Sequence, residues 1–208
     1  MVQKGYENSK GGDGMKVETA VAEKITIKLV NSGVISEIDT ELYKYGIENG
    51  IIITGNLLAS FLFGLITGRL GNILVFLFFY GTLRSYSGGL HCKGRKECFL
   101  LSIIILFIPA YLGDMAINIP LMPVIICGVV AVTMILGLSP VESVNKPLDE
   151  EERKYYKRIS RCIAEWQICV LVMFYCLDML NYFYAGYSSL LLVAIFLIIG
   201  KIVTKHYT

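Results

Sequence analysis

The stretch from Arg84 to Cys98, RSYSGGLHCKGRKEC, carries the side chains best suited to chemistry. His91 and Cys98 supply an imidazole and a thiol, the minimum parts of a cysteine nucleophile with its base. Cys98 opens a hydrophobic block. There, free backbone N–H groups and the helix macrodipole stabilise negative charge, and Lys93, Arg95 and Lys96 add positive potential. Both effects favour the thiolate, and the same N–H groups can hold a developing oxyanion. Glu97, an adjacent anion, works against them. On one straight helix, seven residues at about 1.5 Å each would set the His91 and Cys98 Cα atoms about 10.5 Å apart, beyond hydrogen-bond reach. The spacing therefore calls for a break, which Gly94 can supply, so that His91 folds back over Cys98. Gly88 and Gly89 give similar freedom ahead of the histidine.

Plainer readings fit the same residues. A loop histidine can be merely solvated, a cysteine at a helix start can be a small apolar filler, and the cations follow from a cytoplasmic loop. Cys92 beside His91 does not make a zinc site, because His, Cys and Cys lack a fourth ligand; no metal and no cofactor are expected. A second polar segment follows at Ser139–Arg158. Pro147 forces an extended start, Asp149, Glu150, Glu151 and Glu152 suit a helix N-terminus, and Arg153, Lys154, Lys157 and Arg158 follow at pairing distance. Most of this segment reads as a solvated helix. Glu142, Asn145 and Lys146 lie at the membrane edge, within reach of a site at Cys98.

The elements that must position these residues are hydrophobic. Of 208 residues, 55% are hydrophobic and only 17% charged, against the usual quarter, and mean hydropathy is +0.61. The apolar residues fall in blocks of roughly 16–20, long enough to cross a hydrocarbon core of about 30 Å. The expected fold is an all-α polytopic membrane protein with six transmembrane helices, at about 47–67, 70–86, 97–113, 119–138, 163–183 and 187–204. An amphipathic helix precedes them: Val17, Val21, Ile25 and Leu29 share one face, and Asn31-Ser32-Gly33 ends it. A short polar helix or linker follows at 36–49. Residues 1–15 read as a disordered leader without the apolar core of a secretory signal. Residues 16–46 read as amphipathic, cytoplasmic helices, and 47–208 as the transmembrane domain.

Short-loop cations set the orientation. Arg84, Lys93, Arg95 and Lys96 lie between the second and third blocks. Lys146, Arg153, Lys154, Lys157, Arg158 and Arg161 lie between the fourth and fifth. The loops around 112–119 and 181–187 have none. Both termini and both basic loops are thus expected in the cytoplasm, with Arg69 the dissenter. The net charge of +2 gives no reason to expect a nucleic-acid partner. Six cysteines make an even count, but a disulfide framework does not suit a reducing compartment. Cys162, Cys169 and Cys176 recur every seven residues on one helix face, a spacing that can mark a packing seam; such heptad-like faces and the small-residue faces are the basis for expecting a homodimer.

Together, Arg84, Gly88-Gly89-Leu90-His91, Cys98, Pro140-Val141-Glu142 and Asn145-Lys146-Pro147 resemble the accessory gene regulator B (AgrB) family of Gram-positive bacteria, over most of the chain from about Lys16. The resemblance implies a bacterial cell-membrane cysteine endopeptidase that processes a short propeptide, AgrD, into a cyclic quorum-sensing peptide. It implies His91 and Cys98 as the catalytic pair. Arg84, Gly89, Asn145, Lys146 and Pro147 match motif positions with supporting roles, to which the membrane-edge Glu142 is added. Cys92 is a departure and is not the nucleophile. The implied partners are an AgrD-like propeptide and the lipid bilayer. A small-peptide exporter without protease activity is the alternative. It would need ionisable groups near the membrane midplane, and the helix centres have almost none.

Overall fold

A computed structural model describes residues 15–89, 95–116, 119–141 and 148–206. Seven α-helices account for nearly all of them: α1 (Met15–Asn31), α2 (Thr40–Ile66), α3 (Leu70–Ser87), α4 (Arg95–Ala116), α5 (Leu121–Leu138), α6 (Glu150–Cys176) and α7 (Leu180–His206). The protein is an all-α polytopic membrane protein. Large apolar side chains stand exposed along the helices, among them Leu57, Leu62, Ile126, Val129, Val172 and Ile195, as a hydrocarbon solvent requires. Among the described residues four helical stretches are long and apolar enough to cross a bilayer: Glu37–Ile66, Leu121–Leu138, Glu150–Cys176 and Leu180–Val203. The described apolar run of α4, Leu101–Leu112, is shorter, and α3 is not among the four because Asn72, Arg84 and three serines and threonines dilute it.

The chain forms two compact units, Met1–Ala59 and Ser60–Thr208. In the first, α1 stops where Asn31-Ser32-Gly33 was expected to stop it. Gly33 takes φ 70°, and the Val34 and Gly33 N–H groups return to the Leu29 and Val30 carbonyls (3.1 and 2.9 Å), the pattern of a Schellman cap. Ser36 then caps a short 3-10 turn at Glu37–Asp39. The polar stretch after it is no separate linker. It is the first part of the 27-residue α2, because nothing between Thr40 and Ile66 breaks the helix.

In the second unit α7 is the central element, packed against α3, α4, α5 and α6. Small residues make this possible. A Cβ on Gly186 would lie 2.9 Å from Leu171 Cδ2 and 3.1 Å from Phe79 Cε1, so α3, α6 and α7 meet there. The core consists of Phe79, Leu83, Ile135, Leu171, Leu190 and Val193 with their neighbours. Gln167 adds an interhelical polar tie, its Nε2 donating to the Phe79 carbonyl (2.8 Å) and to Thr82 Oγ1 (3.1 Å).

Helices α6 and α7 differ from the hydropathy blocks. Helix α6 begins at Glu150, under a capping box in which Asp149 Oδ1 accepts from the Glu152 N–H (2.7 Å). It runs unbroken from charged residues into apolar ones. It ends at Cys176, because Asp178 adopts φ 57° and the Met179 N–H closes on the Phe174 carbonyl (2.9 Å). Asp is one of the few residues that tolerate this left-handed conformation. Helix α7 can therefore start at Leu180, earlier than its purely apolar part suggests.

Arg69, the dissenting cation, is charge-paired. Its Nη1 donates to Asp114 Oδ1 (3.0 Å), and Nη2 donates to Oδ2. The pair ties the α2–α3 turn to the end of α4. It is partly exposed, so Arg69→Ala is expected to lower stability by only about 0.5–1 kcal/mol. Thermal unfolding in detergent should show a shift of roughly a few degrees.

Candidate functional site

The two segments that sequence reasoning singled out meet at one end of the second unit. Helix α3 ends at Ser87, and Gly88 leaves it at φ 72°, ψ −150°, a region open essentially to glycine alone. Helix α5 ends at Leu138, and Ser139-Pro140-Val141 follows with a cis Ser139–Pro140 peptide. The Val141 N–H donates to the Ser87 carbonyl (2.9 Å), and Gly88 and Val141 form an isolated parallel bridge. The contact leaves no room for a side chain at Gly88: a Cβ there would lie 2.1 Å from the Val141 carbonyl oxygen.

Arg84 and Gly89 are also together. Gly89 has φ 119°, and a Cβ on it would fall 2.5 Å from Arg84 Nη1 and 3.1 Å from the Phe196 carbonyl oxygen of α7. The half-buried guanidinium of Arg84 therefore lies against the backbone of the second glycine. On the other side, Ser139 is held by α6. Its hydroxyl donates to Ser160 Oγ (2.8 Å), and the Ser160 hydroxyl donates to the Lys157 carbonyl (3.2 Å). Both serines are buried. The Tyr86 ring of α3 packs on Tyr156 of α6, with centroids 5.9 Å apart. The ends of α3 and α5, one turn of α6 and Phe196 of α7 thus converge.

Of the expected site residues, Arg84 and Gly89 lie in this convergence. Cys98 is the fourth residue of α4, so its backbone sits in the first turn, as expected; its side chain lies outside the described residues. His91, Glu142, Asn145, Lys146 and Pro147 also lie outside them. Among the described residues no three His, Cys, Asp or Glu side chains group as metal ligands. Cys162, Cys169 and Cys176 are free and exposed.

Sequence reasoning missed Gly88 as the tighter of the two glycines, and it missed Ser139 and Ser160 altogether. The glycine pair was visible, but only the bridge to Val141 tells which glycine is crowded. The serines gave a faint signal as hydroxyls flanking apolar helices.

The fold and the site together define an all-α membrane bundle in which the ends of two helices pin a Gly-Gly turn to a Ser-Pro-Val strap. The profile of the family described as Accessory gene regulator B matches residues 22–198. The chain belongs to the accessory gene regulator B family. It is similar to an AgrB-like protein of Clostridium perfringens strain SM101, 28% identical over 185 residues, which are 83% of this chain and 85% of the relative. It is also similar to AgrB-like protein 2 of Clostridium perfringens strain 13, 27% identical over 173 residues, 77% of this chain and 79% of the relative. No solved structure matches the chain. Membership carries a role in processing the accessory gene regulator autoinducer at the membrane, with an AgrD propeptide as substrate.

Proposed function

We propose that this chain is a membrane cysteine endopeptidase that cleaves an AgrD-like propeptide and promotes its cyclisation, with Cys98 as nucleophile and His91 as base. The observation that carries the reading is the Gly88–Val141 bridge. His91 follows Gly89 by two residues and Glu142 follows Val141 directly, so both motif segments leave from one point. Cys98, in the first turn of α4, keeps the helix-start environment that stabilises a thiolate.

His91 takes the thiol proton, and the Cys98 sulfur attacks a carbonyl carbon in the C-terminal part of the precursor. N–H groups at the start of α4 offer hydrogen bonds to the oxyanion. The C–N bond breaks, the leaving amine takes the proton back from His91, and the N-terminal part stays on Cys98 as a thioester. A cysteine or serine of the same precursor then attacks the thioester, its proton passes to the departing Cys98 sulfur, and a thiolactone or lactone ring closes. Exchange between acyl-sulfur or acyl-oxygen bonds keeps the acyl group activated. A site at the membrane boundary limits competing hydrolysis.

The basic residues of the α3–α4 and α5–α6 connections support a cytoplasmic site and cytoplasmic termini. Arg69 weighs little against this, being paired with Asp114. The exporter alternative gains nothing: among the described residues, the buried polar side chains of the second unit, such as Asn72, Gln167 and Ser189, are uncharged.

The test is cleavage of a synthetic precursor by the purified protein in liposomes. His91→Ala is expected to lower the rate roughly 10³-fold or more, and Lys146→Ala to lower it measurably. Cys92→Ala should cleave at the parent rate. Parent-like cleavage by His91→Ala would remove the imidazole from the mechanism.

A further inference from the structure

We infer that Ser139 and Ser160 are positioning residues, a hydroxyl latch by which α6 sets the register between the two motif segments. The inference deepens the peptidase reading and rests on it. Ser139 is 4% and Ser160 1% exposed, so their hydroxyls have no water to fall back on. They satisfy one another in a directed series: Ser139 donates to Ser160 (2.8 Å), and Ser160 donates to the Lys157 carbonyl (3.2 Å). Two residues beyond Ser139, the Val141 N–H donates to the Ser87 carbonyl (2.9 Å). Ser87 is itself fully buried, and its hydroxyl donates to the Leu83 carbonyl (2.8 Å).

A continuous line of hydrogen bonds therefore runs from α6 through Ser139 and the 139–141 strap into the last turn of α3. It ends beside Gly88-Gly89. A single β-bridge is weak alone, because one backbone hydrogen bond contributes little net stability. Gly88 adds no side chain that packs on Val141. What holds Val141 in register is the anchor two residues upstream. Without the Ser160 hydroxyl, Ser139 is left as a buried donor lacking its acceptor, and the strap can slip relative to α3. The chain beyond Val141 then departs from a shifted origin, while none of the latch's hydrogen bonds reaches α4.

The test uses the full-length protein in liposomes, with Ser139→Ala, Ser160→Ala and the double variant. Two readouts do not depend on catalysis. Hydrogen exchange at the Val141 amide should speed up about tenfold in either single variant, in line with an unsatisfied buried group, with the peptides inside α5 and α6 unchanged. Alkylation of Cys98 by a small thiol reagent, mapped by mass spectrometry, should keep its parent rate. In precursor cleavage, kcat should fall about tenfold with KM within about twofold, and the double variant should be no worse than either single one, since both act through one contact. Unchanged Val141 exchange in both single variants overturns the latch. So do losses that multiply in the double variant, or lost activity fully explained by less membrane-inserted protein. If a Cys98→Ala control cleaves as fast as the parent, the peptidase reading fails instead, and the exchange measurement still decides the latch.

Discussion

Cys98→Ala is expected to lower precursor cleavage by at least roughly 10⁴-fold, because the sulfur is the atom that forms and breaks the covalent bond. The variant should still reach the membrane in parent amounts. Cys98 occupies the first turn of α4, where alanine is a good helix former, so the bundle loses no backbone hydrogen bond. Cys98→Ser is the sharper comparison. It keeps the size and the hydrogen-bonding capacity, but a serine hydroxyl stays protonated near neutral pH, and the helix start that stabilises a thiolate cannot ionise it. Only a trace of cleavage should remain. The check is a time course of precursor consumption in liposomes at matched protein. Full activity in either variant would mean that another group does the chemistry.

Gly88→Ala should impair cleavage strongly, and more than Gly89→Ala does. Two independent constraints meet at Gly88. Its conformation, φ 72° and ψ −150°, costs a side-chain-bearing residue of order 1–3 kcal/mol. In addition, the new Cβ would lie 2.1 Å from the Val141 carbonyl oxygen, a backbone atom that cannot swing aside. The strap must open for the methyl to fit, and with it the convergence of the two motif segments. Gly89 is more forgiving: the nearest atom to its Cβ position is Nη1 of Arg84, at 2.5 Å, the far end of a long side chain that can withdraw. Cleavage is expected to fall roughly 100-fold in Gly88→Ala and roughly tenfold in Gly89→Ala, given these strain energies. Rates and thermal midpoints measured side by side check the order. Equal effects would mean that the bridge to Val141 does not matter.

Much of the fold was legible because hydrocarbon demands long apolar helices and water does not. The blocks at 70–86 and 119–138 correspond to α3 and α5 within two residues. The Asn31-Ser32-Gly33 stop and the acidic start of α6 carried recognisable cap chemistry. The boundaries around 177–187 were not legible. Hydropathy averages over Asp178, whereas a single left-handed residue ends a helix regardless of how apolar its neighbours are. The run from Glu150 to Cys176 was also misleading, since its first half looks solvated and its second half buried, yet nothing breaks the backbone between them.

At the candidate site, residue type and spacing marked His91, Cys98 and the Asn145-Lys146-Pro147 run, and family resemblance supplied their roles. The pairing of Ser87 with Val141 and of Ser139 with Ser160 could not be read in advance. These contacts join residues 54 and 21 positions apart, and a serine beside an apolar helix looks the same whether it faces lipid, water or another serine. Arg84 was marked by its motif, but its place against Gly89 depends on how α3 ends, which depends in turn on Val141.

Transfer of an acyl group to Cys98 is tested most directly by intact-protein mass spectrometry of the enzyme quenched in acid during precursor turnover. The expected result is an adduct equal in mass to the N-terminal part of the precursor, mapped to Cys98, released by hydroxylamine and absent from Cys98→Ala. Continued cleavage with no adduct, or an adduct on Cys92, would contradict it.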